Sequence, residues 1–292
     1  MTAARTRLLI LGGTGMLGHE AVRVLAPDFE VHATVRDAGL AARHGLPAHE
    51  LHEFDAWRPE RLPDILTATG ADAVLNCIGV VKQLDDASRP VPSITLNALL
   101  PHQLAEACGN AGARLVHVST DCVFSGELPA PRRYAEDDVP DPRDLYGRSK
   151  LLGEVHDGAL TLRTSIIGWE LERASGLLEW LASERGKRVR GFANALFSGL
   201  TTRALARVVG EVVREHPRLT GLYHVSSEPI SKYDLLVALD DALAFGCEIE
   251  RVEEPRLNRA LDSSRFRDET GIELPTWPEM IREYANGGAD EP

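Results

Sequence analysis

A chain of 292 residues, 43% hydrophobic and 26% charged, holds enough apolar material for one large or two modest globular domains. Its formal net charge of -12 excludes nonspecific binding to nucleic acid or to an anionic membrane, since both need a basic surface. The apolar run Leu8 to Leu11 stops at Gly12, too short for a signal-peptide core, and no stretch is long enough to span a bilayer. Cys77, Cys108, Cys122 and Cys247 have neither metal-site spacing nor the density of a disulfide framework, and the ten histidines show no ligand pairing. No metal is expected, and reduced thiols in a cytoplasmic setting are the plain expectation.

Arg7 to Leu11 is an apolar run that ends at glycine, as a buried parallel strand does. Gly12-Gly13-Thr14-Gly15-Met16-Leu17-Gly18 follows, and a helical pattern continues through Val22 and Leu25 to Pro27. Strand, glycine loop and helix in that order form the context of a dinucleotide fingerprint. The glycines permit a tight turn and let backbone N–H groups approach a pyrophosphate at the helix N-terminus.

Glu30 to Val35 is the second expected strand. In a dinucleotide fold the end of this strand selects the cofactor, a carboxylate binding the ribose 2′-hydroxyl and an arginine the 2′-phosphate. Arg36 stands first and favours NADP; Asp37 follows and keeps NAD open. His52 to Phe54 reads as a third strand with Asp55 at its end, placed either for the adenine amino group or for a helix N-cap. Asp72 to Ile78 is a fourth strand ending at Gly79, Asn97 to Cys108 a helix, and Arg114 to Ser119 a fifth strand leading into Thr120-Asp121-Cys122.

Pro129 to Pro142 is rich in Pro, Asp and Glu and reads as a surface loop. It delivers the chain to Tyr146-Gly147-Arg148-Ser149-Lys150, a helix expected to run through Val155. Tyr146 and Lys150, four apart, lie on one helix face one turn from each other. An ammonium beside a phenol lowers the phenol pKa and suits it to proton transfer near neutral pH. Ala159 to Ile167 is a sixth strand. Alternating strands and helices predict an α/β fold with a parallel, doubly wound sheet, whose ligands sit beyond the strand C-termini.

After Gly168 the rhythm loosens. Leu177 to Leu181 and the amphipathic Thr201 to His216 are helical, Leu222 to Ser226 is a strand, and Ser231 to Ala244 a helix capped by Ser231. The expected division is a Rossmann domain over residues 1–168, with 200–226 returning to it, and a smaller substrate lobe from 169–199 and 227–292. The basic run Arg185 to Arg190 reads as a solvated face or as a contact for a diphosphate, and Arg259 carries the same two readings.

The glycine loop, Val118 to Gly126, Tyr146 to Glu154, Leu162 to Gly168, Gly221 to Ser226 and Asn258 to Ser264 together resemble the extended short-chain dehydrogenase/reductase superfamily, and within it the dTDP-4-dehydrorhamnose reductase family. The resemblance implies an oxidoreductase that reduces a nucleotide-linked 4-keto-6-deoxysugar with NADPH. It implies Thr120 polarising the substrate carbonyl, Tyr146 as proton donor, and Lys150 holding the nicotinamide ribose. It also implies cofactor contacts from Gly12, Thr14, Gly15, Met16, Leu17, Asn76, Cys77, Ile78, Gly79, Ser119, Thr164 and Ser165. Substrate contacts are implied for Lys82, Gln83, Asp121 and Ile166. Cys122 departs from the aromatic residue common after Ser-Thr-Asp, and Ile166 from a tryptophan that packs on the substrate. An epimerase of the same superfamily and a noncatalytic NADP-binding regulatory subunit are the alternative functions, and a homodimer is left open.

Overall fold

The computed structural model of the chain describes residues 5–80, 88–171 and 175–286. Strands β1 (Arg7–Leu11), β2 (Glu30–Val35), β3 (Glu50–Glu53), β4 (Ala73–Asn76), β5 (Arg114–Thr120) and β6 (Ala159–Thr164) alternate with helices α1 (Met16–Leu25), α2 (Ala38–Arg43), α3 (Leu62–Thr69), α4 (Leu100–Ala111) and α5 (Leu145–Leu152). Two further short strands, β7 (Ile166–Ile167) and β10 (Leu200–Thr201), pair with each other, while β8 (Arg188–Phe192) and β9 (Ala195–Phe197) pair with β13 (Glu248–Val252) and β14 (Leu257–Asn258). Strand β11 (Gly221–His224) returns to the main sheet, beside β6.

The seven-stranded sheet has the order β11-β6-β5-β4-β1-β2-β3, and every pairing in it is parallel. The strand order reverses between β1 and β4. In a doubly wound sheet the crevice at such a reversal is where ligands bind. β1 shows why its residues suit this place. Leu8 and Ile10 enter one core and Leu9 and Leu11 the other, and all four are fully buried. A parallel strand covered by helices on both faces needs such a continuous apolar run.

Helices α6 (Leu177–Ser183), α7 (Thr202–Glu215), α8 (Lys232–Leu243), α9 (Ser264–Thr270) and α10 (Trp277–Asn286) complete the chain. Thr201 caps α7 by accepting from the Ala204 N–H at 3.2 Å, and Ser231 caps α8 by accepting from the Asp234 N–H at 2.9 Å. α7 lies on α1. A Cβ on Gly210 would come within 2.5 Å of Leu25 Cδ2, and Arg203 Nε donates to Glu20 Oε2 at 2.9 Å.

Several boundaries differ from the sequence expectation. α5 ends at Leu152, short of Val155, with Gly153 as its C-cap, packed on the Asn97 carbonyl so closely that a Cβ would lie 1.9 Å from the oxygen. The expected sixth strand is broken at Ser165, whose carbonyl turns to accept from the Leu200 N–H at 2.8 Å. The helix expected from Asn97 starts earlier, in a widened turn over Ser93–Leu99 that continues into α4. Among the described residues no helix is long and apolar enough to cross a membrane.

Candidate active site

The glycine loop closes β1 onto α1. The Gly12 N–H donates to Thr34 Oγ1 at 3.0 Å and the Gly13 N–H to the Thr34 carbonyl at 2.7 Å. A Cβ on Gly18 would lie 2.0 Å from the Gly12 carbonyl oxygen, so α1 approaches the loop only because no side chain intervenes. Gly15, in extended conformation, offers no side-chain cap to α1, and the first turn carries no acidic residue. The first N–H groups of a helix lack intrahelical partners. Here they have neither a side-chain cap nor an acidic residue in their own turn, the setting an anionic pyrophosphate requires. Thr14, Met16 and Leu17 belong to this segment, and Cys77 and Ile78 lie against it: a Gly12 Cβ would sit 3.0 Å from Ile78 Cγ1.

Asn76 is buried and turned into the protein. Its Oδ1 accepts from the Ile78 N–H at 3.0 Å and its Nδ2 lies 3.0 Å from His117 Nδ1. It shapes the turn toward Gly79 through its side chain. Arg36 and Asp37 are exposed at the end of β2. Asp37 Oδ1 accepts from the Gly39 and Leu40 N–H groups at 2.8 and 3.2 Å and caps α2. Asp55 is exposed and accepts from the Trp57 N–H at 3.0 Å, closing a local turn; it is not the helix N-cap that the sequence also allowed, since Arg58 precedes the next helical turn.

Thr120, at the end of β5, and Tyr146, on α5, come together because α5 is docked by glycine. A Cβ on Gly147 would lie 2.3 Å from the Cys122 carbonyl oxygen. Asp144 caps the helix, its Oδ1 accepting from the Gly147 N–H at 2.8 Å. The Thr120 hydroxyl lies beside the Tyr146 phenol and donates to Asp121 Oδ1 at 3.3 Å. It also accepts from the Cys122 N–H at 3.1 Å.

The electrostatics depart from the sequence expectation. The spacing puts Tyr146 and Lys150 on one face, but the Lys150 ammonium donates to the Val118 carbonyl at 2.7 Å. Burial draws Lys150 down to about 8 from 10.5, opposed by the Glu154 carboxylate. Burial pushes the Tyr146 phenol above its ordinary value, aided by Cys122, Asp121 and Asp144 and opposed by the Thr120 contact. The lowered phenol pKa expected from the spacing is not found: burial raises it, and the ammonium is drawn to another acceptor.

Two cations that sequence reading left outside the catalytic group flank Asp121. Lys232, at the start of α8, and Arg259 both act on its buried carboxylate, whose pKa burial nonetheless raises. Lys232 Nζ sits 3.8 Å from the centroid of the Phe197 ring, and burial draws it down to about 8. Arg259 Nε donates to the Phe124 carbonyl at 3.0 Å. The only local signal for Lys232 is its place beside an N-cap serine, which surface lysines share.

The remaining expected contacts divide. Ser119 Oγ donates to Glu154 Oε1 at 2.6 Å, so its hydroxyl serves the interior. Thr164 is buried at the end of β6, followed by Ser165 and by Ile166 in β7, both partly buried. Lys82 and Gln83 lie outside the described residues. In the basic run, Lys187 pairs with Glu184 at 3.4 Å and Arg188 with Glu248 at 2.7 Å, as local surface pairs. The four cysteines are free.

Comparison with known proteins agrees with this architecture. The chain is 30% identical over 294 residues to the spore coat polysaccharide biosynthesis protein SpsK of Bacillus subtilis, covering 96% of each chain. It superposes on the dTDP-4-dehydrorhamnose reductase of Bacillus anthracis in complex with NADP with a TM-score of 0.81 at 20% identity, covering 97% of this chain and all of that one. It superposes on Bordetella bronchiseptica WbmG in complex with NAD and UDP with a TM-score of 0.80 at 20% identity, covering 98% and 96%. Residues 6–288 match the RmlD substrate binding domain, and the chain belongs to that family, within the extended short-chain dehydrogenase/reductase superfamily.

Proposed function

We propose that this protein is an NADPH-dependent reductase of a nucleotide-linked 4-keto-6-deoxysugar. The observation that carries the reading is the meeting of the Thr120 hydroxyl and the Tyr146 phenol at the strand edge that also bears the glycine loop. Its relatives support it: one is named for polysaccharide biosynthesis, and similar folds are solved with NADP or with NAD and UDP.

The backbone of Gly12, Thr14, Gly15, Met16 and Leu17 would hold the pyrophosphate, and Cys77, Ile78, Gly79, Thr164 and Ser165 would line the nucleoside halves. The bound NADPH supplies the hydride that reduces the ketone carbon. Tyr146, kept protonated by burial, gives its proton to the developing alkoxide while Thr120 hydrogen-bonds the same oxygen. A raised pKa suits this direction, since the phenol holds its proton until a stronger base forms. Lys150 would supply positive charge near the phenol and would hold the ribose. Residues 169–199 and 227–292 form the substrate lobe in this reading, supported by Lys232 and Arg259, which lie in those segments and act on Asp121, and by Phe197, whose ring lies under the Lys232 ammonium.

The test is NADPH consumption against a panel of nucleotide 4-keto-6-deoxysugars, with products identified by NMR. Stoichiometric oxidation of NADPH with reduction at C4 supports the reading. Isomerisation without net cofactor consumption would instead favour the epimerase, and binding without turnover across the panel the noncatalytic subunit.

Cofactor choice resides in Arg36 in this reading. Asp37, the residue that would favour NAD, is turned to the N-terminus of α2. Arg36→Ala is expected to weaken NADPH binding about tenfold to a hundredfold and to spare NADH, since hydrogen bonds to charged groups contribute roughly 1.5–3 kcal/mol. Equal losses for both reduced cofactors, measured by fluorescence titration, would return the choice to Asp37.

Lys150→Met is expected to damage cofactor affinity and rate together. Burial draws the Lys150 ammonium down to about 8. Cofactor affinity should therefore decline as pH rises through that value in the wild type, and the variant should lose this step. An unchanged pH profile would remove Lys150 from the ribose site.

A further inference from the structure

Four strands away from β5, at the opposite edge of the sheet, lies a group of side chains that the proposed reaction does not use. β2 and β3 pair in parallel with His32 opposite Glu50 and Thr34 opposite His52. The His49 N–H donates to the Val31 carbonyl at 2.6 Å and brings its ring to the same place. Glu30, His32, His49, Glu50 and His52 are thereby gathered together, although their sequence spacing matches no metal-binding motif. His32 is buried, with the His49 ring edge-on at 5.3 Å and the His52 ring stacked at 5.5 Å.

Three atoms of this group form a nearly regular triangle. His32 Nδ1 is 3.3 Å from His52 Nε2, His52 Nε2 is 3.8 Å from Glu50 Oε2, and His32 Nδ1 is 3.9 Å from Glu50 Oε2. The point in their plane equidistant from all three lies about 2.1 Å from each, the length of a zinc bond to imidazole nitrogen or carboxylate oxygen. The opposite nitrogen of His32, Nε2, lies 3.3 Å from Glu30 Oε1. A carboxylate on the outer nitrogen is the arrangement that fixes the tautomer of a metal-ligating histidine and turns the other lone pair toward the ion.

We infer that His32, Glu50 and His52 form a binding site for a divalent transition-metal ion, with Glu30 orienting His32. Two imidazoles and one carboxylate suit Zn²⁺ rather than Mg²⁺ or Ca²⁺, which take oxygen ligands. Glu50 is 61% exposed, so the ion has a route in and a fourth position open to water. The ion would join the short edge strand β3 to β2, and its role is to fasten that edge.

The test uses the full chain, free of any purification tag and stripped with chelator, titrated with ZnCl₂ by isothermal calorimetry at pH 7.5. The wild type is expected to bind one ion per chain, and Co²⁺ in its place to give the visible absorption of a four-coordinate site. Glu30→Gln should weaken binding by about 10- to 100-fold, the effect usual for an outer-shell partner. His52→Ala and Glu50→Ala should weaken it more. Glu50 is exposed, so its variant keeps the readout available if His52→Ala unfolds. Zn²⁺ should also raise the melting temperature of the wild type and leave that of Glu50→Ala unmoved, because a ligand stabilises only the state that binds it. No binding by the wild type, or wild-type affinity in Glu50→Ala, would overturn the assignment.

Discussion

Tyr146→Phe is expected to lower turnover of the keto-sugar by about two to four orders of magnitude, the usual worth of a positioned general acid. Affinity for NADPH should stay nearly unchanged. The substitution removes one oxygen, the one that lies beside the Thr120 hydroxyl. The ring that remains fills the same space, and Gly147 still rests on the Cys122 carbonyl, so α5 keeps its place. Steady-state kinetics with a dissociation constant from fluorescence separates the two effects. Turnover within a few-fold of wild type would falsify the role of Tyr146. Equal losses in turnover and affinity would instead point to a displaced helix.

Glu154→Ala is expected to cost about 3–5 kcal/mol of stability, the penalty of leaving a buried charge without its partner. Arg163 Nε and Nη2 donate to the two Glu154 oxygens, each at 2.8 Å, and the side chains are 3% and 0% exposed. Arg163 also lies 5.2 Å from the centroid of the Phe124 ring, and Ser119 gives its hydroxyl to the same carboxylate. Removing Glu154 strands a guanidinium and a hydroxyl just below the end of β5. Against a typical total of about 5–15 kcal/mol this is a large share. Urea denaturation should show a lower midpoint at unchanged slope. Replacing Glu154 and Arg163 together by apolar residues of similar volume should recover much of the loss, because no charge is then stranded. A cost below about 1 kcal/mol for the single change, the range of an exposed pair, would show that water reaches the guanidinium.

The parts of this fold legible in the sequence are those that local chemistry decides. β1 and β2 fall where an apolar run and a bounded β-rich segment place them, and the glycine loop is set by the need for close backbone approach. The Tyr146 helix and its neighbour Thr120 are legible from motif alone. β3 starts two residues earlier than expected and ends one earlier, because Glu-Leu-His-Glu at an edge shows too little apolar alternation to mark its start. The break at Ser165 depends on pairing with Leu200, which no window around Ser165 contains. The same holds for the cation beside Asp121, since Lys232 reaches it only through the fold. The Tyr146 pKa departs from the expectation for a related reason. Spacing gives the direction of an ammonium, whereas burial, here the larger effect, belongs to the assembled molecule.

The seat of α7 on α1 has a consequence for synthesis. Glu20, on the helix that follows the glycine loop, finds its ion-pair partner in Arg203, 183 residues further along. At translation rates of about 5–20 residues per second, the apolar face of α1 waits about 10–40 s for its cover. Contacts at such separation also close slowly, because the intervening loop entropy is lost before they form. A nascent chain halted before Thr202 therefore carries a complete glycine loop on an unsupported helix. Retention of the dinucleotide should emerge late in elongation, once α7 has left the ribosome.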